Sequence, residues 1–186
     1  RLNQLSLGAN ALGLAQAGAL PSARSVAQML AQPRKAWLLY GIEAEHDFAD
    51  TPTALRALGQ GQVVAFTAYA DETTRRMAQV MLPIGLAPEI DGSYVNVDGK
   101  SQSFRAAAKL PGEARAGWRV LRALGERMGV AGFDFTELAQ WRERMPPAPA
   151  RSGAGLAARA AAGQGLESVA TRAIYGVDAV VRRAAP

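Results

Sequence analysis

The sequence predicts an α/β protein that has a partial parallel β-sheet, then a β-hairpin, then a helical carboxyl-terminal extension. Short apolar runs alternate with helix-like stretches between residues 36 and 83, which is the pattern of parallel strands joined by helices. Beyond residue 90 the pattern changes to alternating polar and apolar residues around an Asp-Gly pair, as in a hairpin. With 186 residues, the chain is long enough for one domain and an extension.

The sheet is predicted from three short apolar runs, which are typical of strands buried on both faces. These strands are expected at residues 36–40, 63–67 and 80–83, with helices between them at residues 51–58 and 71–78. Because the connections are short, the strands should be parallel and joined by right-handed crossovers.

The amino-terminal segment carries weaker signals. Residues 1–22 are rich in Gly, Ala and Asn and are predicted to form a loop with one helical turn. A short helix is predicted over residues 22–31, with Ser22 as its N-cap and Pro33 beyond its end.

A hairpin and two helices are predicted after the sheet. Residues 93–104 should form the hairpin, closed by a type I′ turn at Asp98 and Gly99. A helix over residues 117–128 is amphipathic, because four large apolar residues share one face: Trp118, Leu121, Leu124 and Met128. A further helix should begin near Phe135, capped by Asp134.

The composition divides the chain into an α/β domain over residues 1–140 and a linker with a docking tail over residues 141–186. Of the 20 residues from 146 to 165, 15 are Ala, Gly or Pro, as in linkers. The apolar residues at 174–181 are expected to pack on the body of the protein or on a neighbouring subunit. The tail is basic but lacks interleaved aromatic residues, so no nucleic acid is expected as a partner.

Several function classes are excluded by residue types that the chain lacks. Without cysteine it has no thiolate ligands for an iron–sulfur cluster, and its single histidine, His46, excludes a multi-histidine metal centre. No apolar run approaches the ~18 residues of a membrane-spanning helix, so no direct membrane insertion is expected. The chain starts without an initiator Met or a signal-peptide pattern, and we expect it to be a piece of a longer polypeptide.

One loop concentrates titratable groups, since Glu43, Glu45, His46 and Asp47 follow the first predicted strand. Ligands bind at the carboxyl edge of open α/β sheets, so a site for a hard metal ion or an acid–base pair is one interpretation. The other is an exposed acidic loop ahead of a helix N-terminus, where negative charge is mildly stabilising. The sequence favours the exposed loop, because no second cluster completes a site.

Three ordered motifs carry a family resemblance. Residues 80–84 (V-M-L-P-I) and 89–102 (E-I-D-G-S-Y-V-N-V-D-G-K-S-Q) resemble the segment A-D-V-V-L-P … E-x-x-G-T-Y-x-N-x-E-G-R-x-Q of the molybdopterin oxidoreductase superfamily. Residues 111–125 (P-G-E-A-R-A-G-W-R-V-L-R-A-L-G) and 174–184 (I-Y-G-V-D-A-V-V-R-R-A) resemble P-x-G-E-A-R-x-x-W-x-V-L-R-x-L and P-I-Y-x-x-D-x-L-V-R-R-A. Those two runs belong to the large iron–sulfur subunit of NADH:quinone oxidoreductase, respiratory complex I.

The resemblance implies a partial Rossmann-like layer of a molybdopterin oxidoreductase domain. It also implies that iron–sulfur clusters lie in the amino-terminal part of the full subunit, with no cofactor in this chain. The expected partners are the other subunits of complex I. The expected location is cytoplasmic, peripheral to the inner membrane as part of a membrane-bound complex.

The resemblance further points to one loop. In molybdopterin enzymes the segment that matches residues 92–102 lies near the pterin, whereas in complex I the domain is generally taken to have lost that cofactor. Asn96, Gly99 and Gln102 keep the pattern and are the candidate cofactor-binding residues, as vestiges. Four nearby residues replace the usual Asp, Thr, Glu and Arg: Gln79, Ser93, Asp98 and Lys100.

The function implied is that of a structural and interaction segment of an electron-transfer subunit. The holoenzyme moves electrons from NADH to quinone, and the isolated segment is expected to be inactive, with no catalytic residue of its own. The alternative is a retained small-ligand domain that binds a pterin or a nucleotide at the carboxyl edge of the strands.

Overall fold

A computed structural model describes residues 8–19, 25–32, 34–144 and 178–184. The chain divides into two compact units, Arg1–Pro146 and Pro147–Pro186, which are described separately. The predicted boundary at residue 140 falls inside a helix of the first unit. In the second unit, the described residues form a short 3-10 turn at Val181–Arg183, and residues 174–177 of the predicted docking tail lie outside the described ranges.

Two short helices precede the sheet. Helix α1 spans Ala11–Gln16 and helix α2 spans Val26–Leu30. The N-cap of α2 is Ser25, whose side chain accepts from Gln28 N–H while the Gln28 side chain accepts from Ser25 N–H, a reciprocal capping box. The helix therefore begins later than predicted, because extended backbone at Ser25 ends any helical run there; Ser22 lies outside the described residues.

The predicted parallel sheet is confirmed. Strands β1 (Ala36–Tyr40), β2 (Gln62–Thr67) and β3 (Val80–Pro83) pair in parallel in the order β1-β2-β3. Both pairs are in register, with Leu38 opposite Val64 and Val64 opposite Val80.

Two helices connect the strands, as predicted. Helix α3 spans Thr51–Leu58 and is capped by Asp50, which accepts from Thr53 N–H. That hydrogen bond lowers the pKa of the Asp50 carboxyl. Helix α4 spans Glu72–Met77 and is capped by Asp71.

The core lies on one face of this sheet. Its buried residues come from β1, β2, α3 and the loop after β1: Leu39, Ala44, Phe48, Ala54, Leu58 and Val63. Met77 and Ala78, from the end of α4, pack against the same cluster, and so does Leu30 of α2. Both crossover helices thus cover the same face, as right-handed connections between strands in this order require.

The hairpin is present, but its turn differs from the prediction. Strand β4 (Gly92–Val95) pairs antiparallel with β5 (Ser101–Phe104). A type I′ turn needs positive φ at both Asp98 and Gly99, and only Gly99 has it, at +81°. Asn96 causes the difference, because its side-chain oxygen accepts from Asp98 N–H and Lys100 N–H and its backbone pairs with Lys100, which fixes a longer loop.

Two helices follow the hairpin. Helix α5 spans Gly117–Arg127, close to the predicted bounds, and helix α6 spans Leu138–Arg144. The prediction that Asp134 caps α6 is wrong, since its carboxylate pairs with Arg144 at 2.6 Å. Gln140 instead accepts from the N–H groups of Thr136 and Glu137 just before α6. Across the described residues, no helix is long and apolar enough to span a bilayer.

Candidate functional site

The carboxyl ends of β2 and β3 open onto a cavity of about 300 Å³. This is the edge at which open α/β sheets bind ligands. Its walls come from the segments after the two strands and from the loop ahead of α5: Thr67, Ala68, Tyr69, Pro83, Ile84, Leu86, Glu89, Pro111, Glu113 and Ala114.

The polar groups of the cavity are largely engaged in holding its walls. The Thr67 hydroxyl donates to Tyr69 C=O at 2.6 Å and accepts from Tyr69 N–H at 3.1 Å. Glu89 accepts from Leu86 N–H at 2.8 Å, which closes the turn after β3. The loop ahead of α5 is tied to β3 because Arg115 N–H donates to Pro83 C=O and Gly85 N–H donates to Arg115 C=O.

The carboxylates in the walls of this cavity favour a ligand that donates hydrogen bonds over a ligand that is an anion. Glu89 and Glu113 line the cavity, and its described lining residues include neither lysine nor arginine. Phosphate groups are held by cations, by helix N-termini or by glycine-rich loops, and none of these is among the lining residues that the structure describes. The described residues therefore do not fit a phosphate group of a pterin or a nucleotide here.

The three residues predicted to bind a cofactor lie in one hairpin. Asn96 and Gly99 share the loop, where Gly99 N–H donates to Asn96 C=O at 2.9 Å. Gln102 is exposed on β5, opposite Tyr94. The Asn96 side-chain oxygen is already bonded to two backbone N–H groups, so Asn96 shapes the loop, and Gly99 supplies the positive φ that closes it.

The acidic loop after β1 forms a local turn. His46 N–H and Asp47 N–H donate to Glu43 C=O, and the Asp47 carboxylate accepts from Glu43 N–H at 2.7 Å. The expectation of a fully exposed acidic loop is wrong at Glu43, which is 3% exposed, although Glu45 and His46 are exposed. Within the described ranges, no group of three or more His, Cys, Asp or Glu side chains is placed to hold a metal ion.

Sequence reasoning missed a second concave surface, the aromatic cleft between α5 and α6. It has a volume of about 390 Å³ and is almost wholly apolar. Trp118 stacks on Phe135 with 6.0 Å between ring centres, and Phe135 contacts Trp141 at 5.4 Å. The sequence signal was the apolar face of α5, followed closely by Phe133 and Phe135. In the structure this face of α5 and the two rings line the cleft together. The other residues that line the cleft include Leu121, Leu124, Met128 and Val130.

A charge pair lies beside the Phe135 ring of this cleft. Both oxygens of Asp134 accept from the Arg144 guanidinium, at 2.6 and 3.3 Å, and the same guanidinium lies 6.0 Å over the Phe135 ring. The Arg144 hydrogen bond lowers the pKa of the Asp134 carboxyl, and Asp134 in turn raises the pKa of Arg144. The pair anchors the end of α6 to the loop that follows α5.

Comparison with known proteins agrees with this architecture. Residues 1–127 match the family model "Molybdopterin oxidoreductase". A curated relative, the mitochondrial 78 kDa subunit of NADH-ubiquinone oxidoreductase from Neurospora crassa, is 32% identical over 143 residues, which are 77% of this chain and 18% of the relative. The chain thus spans less than a fifth of the length of that relative.

Two further similarities cover less of this chain. The alpha subunit of F420-dependent formate dehydrogenase 2 from Methanococcus maripaludis is 38% identical over 57 residues, or 31% of this chain and 8% of that protein. Among solved structures, acetylene hydratase from Pelobacter acetylenicus aligns with a TM-score of 0.47 and 24% identity, covering 67% of this chain and 16% of that one.

The family match covers the amino-terminal helices, the parallel sheet, the hairpin and α5, and it includes every described residue that lines the cavity at the sheet edge. It therefore spans well over half of the chain. The chain belongs to the molybdopterin oxidoreductase family.

Proposed function

We propose that this chain is a structural and interaction segment of the large iron–sulfur subunit of an NADH:quinone oxidoreductase, respiratory complex I. The observation that carries the proposal is the similarity to the 78 kDa subunit of NADH-ubiquinone oxidoreductase along 77% of the chain, combined with a sequence that has no cysteine. The chain then contributes structure to an oxidoreductase and holds no redox centre of its own.

The residue types support a role without electron transfer. Iron–sulfur clusters are held by cysteine thiolates, with histidine as the occasional substitute. The chain has no cysteine, and its one histidine, His46, lies in the loop after β1. The clusters of the subunit therefore belong to parts of the polypeptide outside this sequence, and we place the chain beside other subunits, peripheral to the inner membrane on its cytoplasmic side.

The test uses the purified chain and the assembled enzyme. The chain alone should show no visible absorption band and should not oxidise NADH with a quinone analogue. An affinity-tagged copy of the gene's complete product should co-purify with NADH:quinone oxidoreductase activity. A stoichiometric chromophore in the chain, or a complete product that purifies without that activity, contradicts the proposal.

The second candidate function is a retained small-ligand site for a pterin or a nucleotide. It is favoured by the cavity of about 300 Å³ at the ligand-binding edge of the sheet and by the preserved hairpin residues. Against it, the described lining residues carry two carboxylates and include no cation for phosphate.

Calorimetric titration of the chain with pterin-6-carboxylate and with GMP separates the two candidates. Gln102→Ala is the informative variant, because Gln102 is exposed and does not close the loop as Asn96 does. Binding of either compound by the chain supports a retained ligand site, and binding that weakens in Gln102→Ala indicates that this site is at the hairpin. Absence of binding by the chain supports the structural role.

A further inference from the structure

The rings of the aromatic cleft between α5 and α6 are held in place by one another and by the backbone of α5. Phe135 is buried and contacts two indole rings, those of Trp118 and Trp141. The planes of these two ring pairs are inclined by only 26° and 30°, so the three rings are nearly parallel. Phe133 lies against α5 at Gly125, where a Cβ would clash with its ring. The cleft therefore presents flat aromatic faces in fixed positions.

The mouth of this cleft leaves large apolar side chains in contact with water. Four of its lining residues are exposed, and Met128 reaches 68%. Contiguous apolar surface of this kind marks a place where a protein binds something. The volume of about 390 Å³ falls in the range of small-molecule sites, which are mostly apolar and aromatic. The exposed residues are Leu121, Met128, Val130 and Trp141.

The charges around the cleft favour an uncharged occupant. An ion that entered would have to break an existing pair or remain unpaired in apolar surroundings, and both are unfavourable. Among the described residues, three arginines at the cleft are each paired with a carboxylate: Arg119 with Glu137 at 3.8 Å, Arg122 with Glu126 at 3.0 Å and Arg144 with Asp134 at 2.6 Å.

One polar atom of the lining has no partner. Arg122 is the only charged residue among the described residues that line the cleft. Its Nη2 pairs with Glu126, whereas its Nε is buried and has no hydrogen-bond partner. A buried donor without an acceptor is unfavourable, and an acceptor supplied by a ligand would remove that penalty. The lining thus asks for one acceptor on an otherwise apolar molecule.

We propose that the aromatic cleft is a binding site for an uncharged, planar aromatic molecule that carries one hydrogen-bond acceptor, such as a carbonyl oxygen. Its ring stacks on the flat faces of the cleft, and its acceptor pairs with Arg122 Nε–H. The cleft shares no described lining residue with the cavity at the sheet edge, so this site is separate from the candidate site above. The proposal does not depend on the proposed function.

The first test uses prodan, an uncharged planar naphthalene ketone, as the probe. Titration of prodan into the full chain, followed by calorimetry, should show saturable binding at one site per chain. Leu121→Glu places a carboxylate at the mouth of the cleft and should weaken binding at least tenfold. Leu14→Glu changes an exposed leucine of α1 in the same way and should leave binding unchanged.

The second test concerns the acceptor. Arg122→Lys keeps a positive charge for Glu126 but removes the Nε–H group, so prodan should bind about two- to tenfold more weakly. Dimethylaminonaphthalene has the same ring system without the ketone, and its affinity should be the same for the wild-type chain and for Arg122→Lys. Equal weakening of the two probes would overturn the pairing with Arg122.

Three outcomes would overturn the ligand site itself. The first is binding that does not saturate, or that is equal in Leu121→Glu and Leu14→Glu. The second is a chain that self-associates in sedimentation equilibrium and becomes monomeric in Leu121→Glu, which would assign the cleft to a second copy. The third is a thiol at Met128→Cys that reacts with a maleimide in the chain but not in the assembled enzyme, which would assign the cleft to a protein partner. Thermal unfolding checks the folding of each variant, and Met128→Glu repeats the first test at a more exposed position.

Discussion

Asn10 is bonded unusually for a residue at the start of a helix. It occupies the N-cap position of α1, yet its side chain makes no capping hydrogen bond. Its side-chain oxygen instead accepts from Val95 N–H at 2.9 Å, on the strand that leads into the hairpin loop. Gly13 makes room for this arrangement, since a Cβ at position 13 would clash with the Asn10 amide oxygen. The hydrogen bond joins residues 85 positions apart and ties α1 to the hairpin.

A double-mutant cycle tests this coupling. Gly13→Ala should lower the free energy of unfolding by about 1 kcal/mol, because it displaces the Asn10 oxygen from Val95 N–H. This is opposite to helix propensity, which favours alanine over glycine by ~1 kcal/mol. In an Asn10→Ala background the clash is gone, so Gly13→Ala should stabilise the chain. Urea denaturation of the four proteins measures the cycle.

The conservative variant provides the control. Asn10→Asp keeps an oxygen that accepts from Val95 N–H, and it should preserve slow hydrogen exchange at that amide. Asn10→Ala should speed exchange at Val95. If Gly13→Ala stabilises the chain with Asn10 present, the coupling between the two residues does not exist.

At the scale of the element, α6 is held by contacts at its middle and at its carboxyl end. Trp141 packs on Phe135, and Arg144 reaches back to Asp134 through two hydrogen bonds. Both groups of the charge pair are solvent-accessible, so its contribution depends on protonation and on salt.

The pH dependence of α6 docking follows from the lowered pKa of Asp134. A carboxyl whose folded pKa is below its unfolded value of about 3.9 stabilises the fold above that pH, and the contribution disappears as the pH falls through the folded pKa. Asp134→Asn should therefore destabilise the chain at neutral pH and have a shrinking effect as the pH falls below about 4. Trp141 fluorescence in urea titrations reports it.

The neighbouring variant Glu143→Gln serves as the control, because it removes a carboxylate from α6 without touching the pair with Arg144. A pH-independent difference between the wild-type chain and Asp134→Asn would mean that the carboxylate acts through shape rather than charge. Added salt should reduce the neutral-pH effect as well.

Elements that depend on periodicity were predictable, and details that depend on competing or distant partners were not. The apolar runs of β1 to β3 act within a few residues of sequence. The start of α6 was mispredicted because Asp134 prefers a guanidinium ten residues away to a nearby backbone N–H. The hairpin turn was mispredicted because the Asn96 side chain competes for the backbone of the loop.

The location of the candidate site was predictable from the sequence, but the residues that line it were not. The sheet edge was predictable, since topology alone places ligands at the carboxyl ends of parallel strands. The cavity there is lined mainly by loop residues that the sequence did not single out, such as Tyr69 and Glu113. The roles of Asn96 and Gly99 in closing their own loop needed the hydrogen bonds to be seen.

For the whole molecule, two adjacent leucines show that the fold places its stability on one side of the sheet. Leu39 belongs to the buried core with Leu58 and Val63, whereas Leu38, on the other face of the strand, is 61% exposed. Both residues are leucines in adjacent positions of the same strand. Their side chains therefore differ only in what covers them. Their substitutions therefore measure coverage directly.

Leu39→Ala should lower the free energy of unfolding of the chain by ~2–5 kcal/mol, because it removes a buried side chain and leaves a cavity. Leu38→Ala should cost less than ~1 kcal/mol, since most of its surface already meets water. Chemical denaturation of the two variants measures the difference. Equal costs at both positions would mean that the Leu38 side chain is as well covered as that of Leu39, and would contradict the difference in exposure between the two faces of the sheet.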